Sequence, residues 1–99
     1  MKKIIIHEKA EKELWHEVEY YEEKVSGLGL DFENEIEYGL VSIQENPAKF
    51  TETQYGVRRY LLQRFPYFIY FIECEDYIWV VAFAHTSRKP FYWEKRISK

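Results

Sequence analysis

The sequence predicts an α+β domain in the order β-α-α-β-β-β, a helical hairpin packed on a twisted, mainly antiparallel sheet. Three observations carry this. Apolar residues in the first half recur at helical spacing among acidic ones. In the second half they form short dense runs rich in Ile, Val, Phe, Tyr and Trp, which suit strands. Gly, Pro and Asn punctuate the chain where the period changes.

Lys2 to Ile6 is β-branched and reads as a strand. Ala10, Leu14, Val18, Tyr21 and Val25 then fall on one helical stripe, predicting a helix from about Glu8 to Val25. Ser26-Gly27 ends it, because glycine accepts the left-handed conformation common beyond a helix end. After Gly27-Leu28-Gly29 a second stripe runs through Phe32, Ile36, Leu40 and Ile43. Asn46-Pro47 stops this helix, since proline disfavours helix in the residue before it. The acidic residues lie off both stripes, as an outer face requires.

Pro47 to Gly56 is polar and reads as a loop. Val57 to Phe65 is a strand candidate, with Arg58, Tyr60, Leu62 and Arg64 on one face and Arg59 on the other. Pro66 marks a turn. Tyr67 to Glu73 and Tyr77 to Ala84 are two more strands joined by a polar turn, and the last is dense enough to be interior. Both are apolar on two faces. The 99 residues make one domain, 1–99, with no repeat and no low-complexity segment.

Composition excludes several classes. At 46% apolar and 19% aromatic the chain is not disordered. No apolar run approaches the ~18 residues of a spanning helix, and the opening KKIII holds only three apolar residues before His7 where an export signal needs ~7–15, so a cytoplasmic protein away from membranes is expected. Cys74 is the one cysteine, which rules out an internal disulfide. No cofactor or metal motif is present, and none is expected. The net charge of −3 hides an asymmetry. Residues 1–50 hold 6 Lys and 12 acids, a balance of −6, whereas residues 51–99 hold 8 bases and 5 acids, a balance of +3. All five arginines lie in the second half, which suggests an anionic partner there.

Two constellations can carry chemistry. Arg58, Arg59 and Arg64 offer planar, always charged forks suited to phosphate or carboxylate, or to bridging the acidic helices. The segment from His85 to Arg96 follows the central strand. There His85 is a candidate general acid or base, and Arg88 a candidate stabiliser of developing charge. Tyr92 and Trp93 can stack on bases or fill a partner's pocket, Trp93 can instead close the core, and Arg96 adds a further cation.

The chain resembles the RelE/ParE superfamily of toxins from type II toxin–antitoxin systems, often labelled plasmid stabilisation proteins. The resemblance rests on Ala10-x-x-x-Leu14 leading to Tyr20-Tyr21-Glu22, Gly27-Leu28-Gly29-x-x-Phe32, Asn46-Pro47, Val57-Arg58-Arg59-Tyr60, Arg64-Phe65-Pro66-Tyr67 and His85-x-x-Arg88-x-Pro90-x-Tyr92-Trp93. It implies the same hairpin-on-sheet fold and a cognate antitoxin that wraps the toxin. If only one apolar sheet face meets the hairpin, the other is expected to meet that antitoxin.

Members divide by activity. RelE-like members cut messenger RNA on the ribosome, whereas ParE-like members act on DNA gyrase. For the first activity the resemblance marks Arg59, Arg88 and Tyr92 as catalytic candidates, and His85 joins them as the acid or base read from the residues themselves. For target or nucleic-acid binding it leaves Arg58, Arg64, Trp93 and Arg96. The next strand reads Tyr67-Phe68-Ile69-Tyr70, without the arginine of RelE-like nucleases. The ending from His85 to Trp93 is closer to the ParE-like branch. The expected function is therefore growth inhibition by binding a target such as gyrase, the alternative being a metal-independent endoribonuclease.

Overall fold

A computed structural model describes residues 1–97. Strand β1 is Lys3–Ile6, helix α1 Glu8–Lys24 and helix α2 Leu28–Glu45. After a short 3-10 turn at Pro47–Lys49 come β2, Arg58–Leu61, β3, Tyr67–Glu73, β4, Tyr77–His85, and a short α3, Glu94–Ile97. The predicted order holds, with α3 added.

Local chemistry sets the helix ends. The His7 imidazole Nδ1 accepts from the Lys9 N–H at 3.0 Å and caps α1, whose first turn carries Glu8 and Glu11 near the positive end of its dipole. Gly27 turns the chain with φ of 89°, which a side chain would resist. It also leaves the start of α2 without a side-chain cap of its own. The Glu22 carboxylate reaches forward instead and accepts from the N–H groups of Gly27 at 2.9 Å and Gly29 at 3.0 Å. That contact is a physical reason for Glu22 preceding the two glycines at this spacing.

The stripes face inward as expected: Ala10, Leu14, Phe32, Ile36 and Ile43 are buried. Val25 departs from the prediction. It lies just beyond α1 in extended conformation and is 60% exposed.

The sheet order is β1-β4-β3-β2, with β1 parallel to β4 and the other pairs antiparallel. The helical hairpin, β2 and β3 all lie between β1 and β4 in the chain, which gives the long connection that a parallel pair needs. Strand β2 is shorter than the predicted Val57 to Phe65. It ends at Leu61, and the Leu62 N–H bonds the Tyr67 carbonyl at 2.9 Å, closing a turn that contains Pro66. Proline cannot donate a ladder bond, so pairing resumes only at Tyr67.

Strand β4 contains a bulge. Tyr70 faces Ala82 and Phe71 faces Val80, so Val81 is the extra residue. This shifts the alternation. Ile78, Val80 and Phe83 join the core under the helices, while Val81 and Ala82 point to the opposite face. Two apolar faces are the result. One meets α1 and α2 through an aromatic cluster in which Phe32 lies 5.0 Å from Tyr67 and 5.1 Å from Phe65. The other is covered in part by the chain's own end. Trp93, 1% exposed, packs there with Val57, Val81 and Ala82. Burying one such side chain contributes about 2–3 kcal/mol. Among the described residues no helix is long and apolar enough to cross a membrane.

Candidate functional site

The chain beyond β4 is placed by backbone bonds. The Thr86 N–H reaches the Pro66 carbonyl at 2.8 Å and the Arg88 N–H the His85 carbonyl at 2.9 Å. Phe91 then adopts φ of 61°, and residues 91–97 fold back over the sheet.

This return is fastened by a residue that sequence reasoning did not single out. Glu13 of α1 accepts both arms of the Arg96 fork, at 2.9 Å on Oε1 and 2.8 Å on Oε2. It also accepts the Tyr92 hydroxyl at 2.7 Å and the Phe83 N–H at 3.2 Å. Arg96 in turn donates to the Val81 carbonyl at 2.9 Å. Strand β1 pairs with β4 only as far as Val80, so Glu13 and Arg96 satisfy the edge that β1 leaves open. Bidentate pairing of this kind is both strong and directional. Burial, followed by the hydrogen bond to Glu13, pushes the Tyr92 phenol well above its ordinary value. The Glu13 hydrogen bond likewise raises Arg96. No local signal could have found Glu13, one acid among many and 83 residues from its partner.

The other arginines divide in the same way. Arg58 donates to the Phe50 carbonyl at 2.7 Å and lies 3.4 Å from Glu52, holding the loop before β2. Arg64 sits in the turn after β2 rather than on a strand face with Arg58. Its guanidinium is 3.7 Å from Asp31, and its N–H bonds Glu35. Arg59 points to the sheet face away from the helices, its guanidinium 4.5 Å from the centre of the Phe68 ring. Arg88 lies 3.9 Å from the centre of the Tyr92 ring and only 4.0 Å from Glu13, with 54% of its side chain exposed.

His85 is exposed, and its Nδ1 is engaged by its own turn, at 3.0 Å from the Ser87 N–H and 2.8 Å from the Ser87 hydroxyl. It borders a cavity of about 490 Å³ with His16, Glu17 and Arg88, beside α1. Arg59 borders a different one of about 130 Å³, with Arg88 and Trp93. Arg88 therefore touches both cavities, while Arg59 and His85 face separate ones. Tyr92 lines neither. Among the described residues no three His, Cys, Asp or Glu side chains form a candidate metal set.

Residues 4–90 match the family model described as the ParE toxin of the type II toxin–antitoxin system parDE. No curated protein matches the sequence. A solved structure described as the chromosomal ParDE TA system from P. aeruginosa superposes with a TM-score of 0.72 at 19% identity, over 86% of this chain and 96% of that one. That likeness bears on the fold, whereas the family model covers most of the sequence. The chain belongs to the ParE toxin family of type II toxin–antitoxin systems.

Proposed function

We propose that this toxin stops growth by binding a protein target, with DNA gyrase the first candidate, and that a cognate antitoxin neutralises it. The observation that carries the reading is the separation of Arg59 from His85. Cleaving RNA through its own 2′-hydroxyl needs an acid–base pair and a cation gathered around one phosphate. Here the cation of β2 and the imidazole border different cavities, and the one cation beside His85, Arg88, has Glu13 at 4.0 Å. The remaining acid–base candidate, Tyr92, donates a hydrogen bond to Glu13 and is held neutral by burial and that bond. The uncharged Tyr67–Tyr70 stretch of β3 adds no further cation for a phosphate.

Purified toxin tested in a gyrase supercoiling assay, beside ribosomes programmed with messenger RNA, separates the two activities. Inhibited supercoiling with intact RNA is expected. His85→Ala should keep toxicity within about two-fold, because losing a general acid or base costs about 10²–10⁴ in rate only where one operates. RNA fragments ending in cyclic phosphate, abolished in His85→Ala, would replace this reading with ribonuclease action on the ribosome.

A further inference from the structure

On the sheet face away from the helices, two adjoining pockets share Arg59 and Phe68. One is the cavity of about 130 Å³ beside Arg88 and Trp93. The other, of about 360 Å³, adds Lys49, Phe50 and Leu61. Three cations border this groove, and no carboxylate among the described residues lines either pocket. Yet the chain holds 17 acids against 14 bases. Arg58, Arg64 and Arg96 each pair with a carboxylate of the protein. Arg59 has none within ion-pairing distance among the described residues, and Arg88 barely reaches one. Trp93 lines the smaller pocket, and its indole N–H is buried without an acceptor. A buried donor without a partner is uncommon in a folded protein.

An aromatic ring flanks each of the two guanidinium groups, Phe68 beside Arg59 at 4.5 Å and Tyr92 beside Arg88 at 3.9 Å. Arg59 is left to take a planar two-oxygen acceptor, and Arg88 is held by Glu13 only at 4.0 Å. We propose that this groove receives an acidic and apolar segment of the toxin's target polypeptide. A carboxylate docks against Arg59 and Arg88, and an apolar side chain lies on Phe68 and Leu61. The proposal rests on the binding reading given above. Charge complementarity favours a polypeptide, because cations and apolar rings line the groove together. Three cations on a chain of net charge −3 also make a weak footprint for a phosphate backbone.

The probe is a blocked tetrapeptide, Asp-Leu-Asp-Phe, titrated into isotope-labelled toxin, with a uridine trinucleotide as the competing ligand. The Nε–H signals of Arg59 and Arg88 and the Trp93 indole signal are expected to shift with the peptide. Arg59→Gln and Arg88→Gln should each weaken binding about ten-fold, as loss of a charge-assisted hydrogen bond does. No shift, or a stronger response to the trinucleotide, overturns the proposal. A second arm uses Arg59→Glu, checked for an unchanged melting temperature. Gyrase inhibition should fall at least ten-fold while antitoxin affinity stays within two-fold. Lost antitoxin affinity would place the antitoxin in the groove and overturn the assignment to the target. Undiminished inhibition by Arg59→Glu overturns the groove and leaves the binding reading standing. If the unmodified toxin cuts RNA and spares gyrase, the binding reading fails, and with it the target assigned here, whatever the titration gives.

Discussion

With 18% of its side chain exposed, Glu13 holds Arg96, Tyr92 and the Phe83 N–H together. Arg96, at 11%, is more buried still. Removing one partner of such a pair leaves the other charge desolvated, which costs more than the pair itself contributes. Partial exposure lowers the usual figure, so Glu13→Ala is expected to cost about 2–4 kcal/mol. For a domain of this size that lowers the melting temperature by about 10–20 °C. Asp31→Asn, at the exposed Arg64 pair, should change stability by less than about 1 kcal/mol. Thermal denaturation of both variants checks this, and equal losses would sink the argument. Trp93 closes the core, one of the two roles read for it in the sequence, whereas Arg96, read there as a further cation for binding, is paired inside the fold. A guanidinium at position 96, far beyond the acidic first half, looks free in a sequence, because nothing local says which carboxylate it will meet.

The elements show how closely the helices ride on the sheet. A Cβ on Gly39 of α2 would come within 2.8 Å of the Tyr60 ring and 3.0 Å of the Ile69 side chain. Alanine normally favours a helix by about 1 kcal/mol over glycine. Forcing an extra methyl into a packed core costs about 1–3 kcal/mol. Tyr60 is buried, so it has little room to yield. Gly39→Ala should therefore lower the urea midpoint, and a rise would mean that α2 sits further from β2 and β3 than described. The stripes of both helices were readable because i, i+3 and i+4 neighbours report their own face. The end of β2 was less so. Apolar residues continue through Leu62 and Phe65, and only the turn closed by Leu62 and Tyr67 reveals that Arg64 has left the strand.

Across the molecule, four phenols share one electrostatic condition. Burial raises Tyr21, Tyr60, Tyr67 and Tyr92 above their ordinary value, and for Tyr67 and Tyr92 a hydrogen bond to Glu17 or Glu13 adds to it. Below the ordinary phenol value near 10, folded and unfolded chains are both protonated there, and the full stability is present. Above it the unfolded chain ionises first, so it binds fewer protons than the native state and stability falls as pH rises. Urea midpoints from pH 8 to pH 11 should decline chiefly above pH 10. The double variant Tyr67→Phe, Tyr92→Phe should show a shallower decline. An equal slope would place the titrating groups elsewhere.

By itself the sequence determined the element order, the helical hairpin, the family and the basic, aromatic character of the second half. Those properties are written in periodicities and motifs spanning a few residues. Tertiary structure alone decided what each cation does. The Val81 bulge turned part of β4 toward the second face, and the Glu13–Arg96 clamp brought the chain's end over it. Arg59 and His85, on one list of candidates in the sequence, came to border separate cavities. Charge type is a property of a residue, but whether that charge meets a carboxylate or an open groove depends on contacts between distant parts of the chain.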